Sequence, residues 1–205
     1  MKRFHILAAL LTAVILTATA GHNDPVLMTV NGKEIHQSEF EYLYSKNRLQ
    51  QIEPQCFDEY LDLFIVFKLK VADAEAAGIH TTTKFHNEFE GYCAELALPY
   101  EDAKSNPEYL NLVNEYRDGM LLFEISDIKV WKPASTDKNG LSEFLRTHKG
   151  EYDIESSADA TYMRSRIILD YQQELESHWI KELRTKYEVS IDNELVDRLR
   201  EKFQP

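Results

Sequence analysis

The chain has 205 residues, a formal net charge of −12 and 28% charged residues against 43% hydrophobic ones. That acidity disfavours nucleic acid and anionic lipid as partners. With seven glycines, tight backbone cradles for phosphate are few, and no Gly-rich phosphate loop, GxSxG, CxxC or HExxH motif occurs.

Lys2 and Arg3 precede an apolar run from Ile6 to Leu16, and Ala18-Thr19-Ala20 follows with small side chains at alternate positions. This order predicts a secretory signal peptide over residues 1–20, cleaved after Ala20, and a periplasmic destination. The run is shorter than the roughly 20 residues that span a bilayer, so no stable membrane insertion is expected afterwards. Loss of Lys2 and Arg3 makes the remaining chain two units more negative. Residues 21–205 then read as one helical domain, with an N-terminal part over 21–100 and a C-terminal part over 101–205.

Asn31-Gly32 lies between two β-prone runs, Val26–Val30 and Lys33–Ile35, and predicts a type I′ hairpin. Ser38 followed by Glu41 has the pattern of a capping box opening a helix from Glu39 to about Leu49. Beyond Pro54, a second helix is predicted over Phe57–Ala77. Phe57, Tyr60, Leu61, Phe64, Ile65, Lys68, Leu69, Val71 and Ala72 form its stripe, and Phe64–Phe67 is apolar all round, which places this helix centrally. Gly78 suits the residue just past its end. Thr81 or Thr82 caps a third helix, from about Lys84 to Ala97.

Asn106-Pro107 opens a fourth helix, which reaches at most Trp131 because Pro133 blocks extension. Gly119 weakens it by roughly 1 kcal/mol relative to alanine. A short helix over Leu141–His148 and an irregular connection over 151–160 come next. A long helix then carries Met163, Ile167, Tyr171, Leu175, Trp179 and Leu183 at steps of four. Val189–Ile191 reads as a brief strand, and Asp192 caps a last helix through Phe203. A two-stranded hairpin is marginal in water. The late strand is therefore expected to join it as a third, tying the two ends of the chain together.

Of the histidines, His80 and His86 flank a helix start, without a carboxylate or Cys spaced to complete a metal site. No residue is assigned a catalytic role, and neither metal nor cofactor is expected. Cys56 and Cys93 are expected to be free thiols. With the second and third helices treated as an antiparallel hairpin, the two are offset by roughly 16 Å along the axis, against the ~7 Å limit for a disulfide.

Several segments taken in order resemble one family. These are Val30–Ile35, Ser38–Phe40, Tyr60–Phe64 with Phe67–Val71, Ala76–Ile79, Asn114–Ile125 with Val130-Trp131, and Asp170–Gln172 with Trp179–Leu183. Together they are similar to SurA-type periplasmic chaperones, in particular their Bacteroidetes-like forms. The resemblance implies a mainly α fold: a helical chaperone core with a small three-stranded sheet. In that family parvulin prolyl-isomerase modules interrupt the helical parts. Nothing here matches a parvulin module, and the connections at 99–106 and 151–160 are short.

The implied function is therefore that of a holdase. It binds unfolded envelope or outer-membrane polypeptides and lacks isomerase activity. The alternatives are a residual prolyl isomerase and a structural subunit of an envelope complex. Adaptable aromatic and Met side chains suit client binding, and Phe67, Tyr116, Met120, Phe123 and Trp131 are the candidates. Each also reads as core, since apolar residues at helical spacing usually are.

Overall fold

The computed structural model describes residues 24–50, 56–152 and 160–203. The expected signal peptide, Pro54 and most of the 151–160 connection lie outside these residues.

The chain opens with strands β1 (Val26–Val30) and β2 (Lys33–His36), joined by Asn31 and Gly32 at φ 52° and 76°. Both torsions are positive, as a type I′ turn requires. A regular strand alternates its faces. Here the register shifts between Val26 and Met28, and that bulge lets the consecutive Leu27 and Met28 both turn inward. Strand β3 (Val189–Ile191) pairs antiparallel with the free edge of β1, giving the order β2-β1-β3. The amides of Asn31 and Asp192 continue the ladder to Glu188 and Leu27. The expected three-stranded sheet joining early and late segments is thus present in a mainly helical protein.

Helix α1 spans Gln37–Gln50. Its start differs from the expected capping box. The Ser38 amide and hydroxyl both donate to the Asp24 carboxylate, at 3.0 and 2.5 Å. The hairpin brings Asp24 alongside, and a carboxylate outcompetes a neighbouring serine as acceptor at a helix N-terminus. A capping box does occur at α2 (Phe57–Ala76), made by Cys56 with Glu59. Gly78 ends this region at φ 75° and leads through a short 3₁₀ turn, Ile79–Thr81, into α3 (Thr83–Ala97), capped by Thr82.

Asn106 accepts the amides of Glu108 and Tyr109 and opens α4 (Pro107–Ser126). The helical path does not stop before Pro133. Residues Asp127–Trp131 form a π-helical turn, in which the Lys132 amide reaches the Asp127 carbonyl, and α5 (Lys132–Thr136) continues from it. Proline lacks an amide hydrogen and crowds the carbonyl four residues back. The wider turn relieves that conflict by placing Pro133 in a new first turn, where its amide would have no partner in any case. Helices α6 (Lys138–Thr147), α7 (Ala160–Lys186) and α8 (Asn193–Phe203) complete the described chain. Asp192 caps α8 through the Leu195 amide.

The main core gathers the sheet, α1, α2, α4, the second half of α7 and α8 around Leu27, Phe40, Phe57, Leu69, Leu121, Leu183 and Leu199. A smaller cluster of Ala134, Phe144, Ile167 and Tyr171 lies between α5, α6 and the first half of α7. Leu175 packs against both.

Helix α2 also carries buried charge. Lys68 is held by Glu39 and by Asp118 at 2.6 Å; Lys70 pairs with Glu176. Asp73 accepts from Trp179 Nε1 at 3.0 Å, the Tyr187 hydroxyl at 2.9 Å and Lys186 Nζ at 2.6 Å. These groups tie α2 to α1, α4 and the end of α7. Burial pulls the Lys68 ammonium down, but Asp118 and Glu39 outweigh it and hold the group above the ordinary lysine value. Burial likewise pushes the Asp73 carboxyl up, and its three donors outweigh that and hold it below the usual range.

One expectation about packing is overturned. Helix α3 does not fold back along α2 as a closed hairpin; it leans on α4 instead. Gly78 and the 3₁₀ turn redirect the chain, and a gap is left between α2 and α3. Cys56 and Cys93 are unpaired, the first exposed at the start of α2 and the second half-buried in α3. No described helix is long and apolar enough to cross a membrane.

Candidate functional site

The gap is a cleft of about 1140 Å³ bounded by α1, α2, α3 and α4. Tyr116, Gly119, Met120 and Phe123 of α4 line it. They lie three, four and seven residues apart, which places them on one helical face. Leu63 and Phe67 add a wall from α2, and Tyr92 faces them from α3.

Apolar side chains here stay in contact with solvent. Leu63 is 50%, Tyr92 43%, Tyr116 40% and Phe123 60% exposed. Met120 and Phe67 are half-buried and root the cleft in the main core. The Tyr92 and Tyr116 rings meet with centroids 5.8 Å apart, and Phe123 meets Trp131 edge-on at 5.0 Å.

Four of the five sequence candidates, Phe67, Tyr116, Met120 and Phe123, therefore share one cleft. The fifth, Trp131, stands just outside the lining and buttresses Phe123. Leu63 and Tyr92 escaped the sequence reading. Each carried a signal: Leu63 precedes Phe67 by four residues in a stretch apolar on all sides, and Tyr92 continues the spacing of Phe85 and Phe89.

Ion pairs brace the rim. Lys46 reaches Glu115 at 2.6 Å, where the Tyr42 hydroxyl also donates at 3.2 Å, and Lys84 reaches Glu124 at 2.5 Å. Burial and the Glu115 carboxylate raise the Tyr42 phenol. Burial lowers Lys46, but Glu115 more than offsets it, so the ammonium sits above its ordinary value. Below the floor, Lys68 lies over the Phe67 ring at 5.0 Å and joins α2 to α4 through Asp118. Among the lining residues there is no His, Cys or Ser. What the cleft offers chemically is removal of apolar surface from water, against aromatic faces and between paired charges.

A second hollow of about 380 Å³ is polar and lies between α6 and α7, near Tyr152. Burial, together with the hydrogen bond to Asp170, pushes the Tyr152 phenol up to about 12. Among the described residues no group of His, Cys, Asp and Glu is placed to hold a metal ion. No protein-family model matches the chain, and no curated protein matches it.

Proposed function

We propose that the chain is an exported, periplasmic holdase. It shelters apolar stretches of unfolded envelope or outer-membrane polypeptides in the α1–α4 cleft and catalyses no prolyl isomerisation. The observation that carries this reading is the exposure of Leu63, Tyr92, Tyr116 and Phe123 toward one cleft, while the aromatics of the main core are closed off. Contiguous exposed apolar surface of this kind marks an interaction site.

The energetics suit transient binding. Covering about 300 Å² of apolar surface contributes roughly 7 kcal/mol before ordering costs. Ordering and lost rigid-body freedom offset much of that gain. The client is held and then released. The acidic exterior keeps the loaded complex dispersed. The basic, apolar and small-residue segments over residues 1–20 support export.

The test is to dilute a denatured outer-membrane β-barrel protein into buffer containing residues 21–205 and to follow light scattering. Aggregation should slow at equimolar to several-fold excess. A Tyr116→Ala, Phe123→Ala double variant should lose most of the effect with an unchanged circular-dichroism spectrum, because both side chains are exposed. No slowing at several-fold excess sinks the holdase reading. Acceleration in a proline-reporter peptide assay that copurifies through several columns would restore the isomerase alternative.

A further inference from the structure

Helix α4 sets a spacing along the cleft. Tyr116 and Phe123 are its two exposed rings, and each is braced by a second ring, Tyr92 and Trp131 respectively.

 Between Tyr116 and Phe123 lies Gly119, and a Cβ built there would meet nothing within 4 Å. Two braced aromatic ridges therefore flank a slot that Gly119 leaves clear and the half-buried Met120 floors. Seven residues of α-helix separate the ridges by about 10.5 Å.

That distance discriminates between conformations of an extended chain. In a β-strand, side chains on one face recur about every 6.7 Å, so the nearest same-face repeats fall at about 7 and 13 Å. In a polyproline II helix they recur every third residue, about 9.3 Å apart. The ridges match the second repeat. Leu63 and Phe67 line the opposite side.

Charge adds a direction. Lys46 and Lys84 are each engaged by a carboxylate, Glu115 and Glu124. Glu88, one helical turn before Tyr92, is exposed; its charge is felt by Lys84, but it makes no ion pair among the described residues. The cleft therefore holds three carboxylates against two ammonium groups, with the excess beside the Tyr92–Tyr116 ridge.

Building on the holdase reading, we infer that the cleft takes its client as a polyproline II segment. Apolar or prolyl side chains three residues apart sit against the two ridges, and a flanking Arg or Lys meets Glu88. Aromatic-lined grooves suit this conformation because it is already ordered and leaves its backbone solvated. An unfolded chain held this way is kept out of the strand geometry through which β-rich clients aggregate.

The experiment is fluorescence anisotropy of residues 21–205 with three labelled peptides of equal length, each carrying one Arg. The first has Pro at every third position, the second has the same composition with its prolines in separated pairs so that none stand three residues apart, and the third alternates Val and Thr. The first should bind roughly tenfold tighter than the third, and Phe123→Ala should remove about that factor, the scale of an aromatic contact. Glu88→Gln should weaken the first peptide, and should not weaken a version with Arg replaced by Gln. Equal or tighter binding of the alternating peptide overturns the inference. So does equal binding of the first two, or an absence of peptide binding. Light scattering on the same preparation separates the two levels. Retained suppression of aggregation leaves the holdase reading standing while the conformational inference falls; loss of both removes both.

Discussion

Asp73→Ala should be among the most damaging single substitutions in this chain, and the size of the effect follows from its three donors. Asp73 is 4% exposed, and Trp179, at 4%, and Tyr187, at 7%, are as deeply placed. Alanine leaves the Trp179 indole N–H and the Tyr187 hydroxyl without an acceptor. An unsatisfied buried donor costs about 1–3 kcal/mol. Lys186 is half-exposed, so its lost ion pair adds at most about 1 kcal/mol. The sum is about 2–7 kcal/mol, and its midpoint corresponds to roughly 10 °C in Tm for a chain of this size. Asp73→Asn is a sharper control. Its oxygen can still accept from Trp179, and its amide can donate to the Tyr187 hydroxyl, so the cost should be about 1–2 kcal/mol. Urea unfolding followed by far-ultraviolet circular dichroism measures both. An alanine variant within 1 kcal/mol of the parent, or an asparagine variant as unstable as the alanine one, refutes the assignment of these hydrogen bonds as a fastening between α2 and the end of α7.

Two glycines should respond in opposite directions. Gly119→Ala should raise stability by about 1 kcal/mol, since a helical Cβ there meets only solvent. Gly140→Ala should lower it by about 1–3 kcal/mol, since the new methyl group runs into the Tyr171 hydroxyl and the Asp137 carboxylate that caps α6; urea midpoints check both. The acid limb of stability should depend on Asp73 and Glu75. Burial pushes both carboxyls up, while Lys186 and its companions on Asp73, and Arg117 and Lys33 on Glu75, outweigh it and lower both. A carboxyl lowered on folding contributes fully above its unfolded value of about 4, and that contribution is lost as pH falls through the folded value. Stability measured from pH 7 to pH 2 should therefore fall below about pH 4, with the gap between parent and Asp73→Asn closing there; a gap constant to pH 2 contradicts the linkage.

Much of the architecture was legible because short-range chemistry dictates it. Asn31-Gly32 can satisfy two positive φ angles, Asn106-Pro107 combines an acceptor with a residue that needs no amide partner, and Gly78 takes the left-handed position after α2. The third strand followed from an argument about marginal hairpins. Errors arose where a partner distant in sequence decides the outcome. Asp24 displaces Ser38 as the cap of α1 only because the hairpin returns it there. Pro133 is accommodated by a π turn that no local pattern announced. Lys68 was placed correctly in the buried stripe of α2. The identity of Glu39 and Asp118 as its partners, the second from fifty residues away, depends on packing. In the cleft, Tyr116, Met120 and Phe123 were recognisable as one helical face. That this face is open rather than core depends on α3 swinging toward α4, which periodicity does not encode.

The swing of α3 also leaves the cleft with one firmly packed side and one loosely packed side, which is what the proposed holdase would need. Of the four helices around the cleft, α2 contributes ten buried side chains, and three of these are charged groups fastened to other elements. Helix α4 contributes four, including Asp118, which locks it to Lys68. Helix α3 contributes one, Phe85. It is tied to α4 by the half-exposed Tyr92–Tyr116 ring contact, an exposed ion pair, Lys84 with Glu124, and the Tyr109 hydroxyl on the Cys93 carbonyl. An exposed pair of that kind stabilises by about 0–1 kcal/mol. Local opening follows the lowest density of buried contacts. The floor carrying Tyr116, Gly119 and Phe123 is therefore the rigid part, and the wall carrying Tyr92 and Glu88 is the part that yields. In the proposed holdase, clients of different bulk would be admitted by displacement of α3 alone, without disturbing the Tyr116–Phe123 spacing on α4.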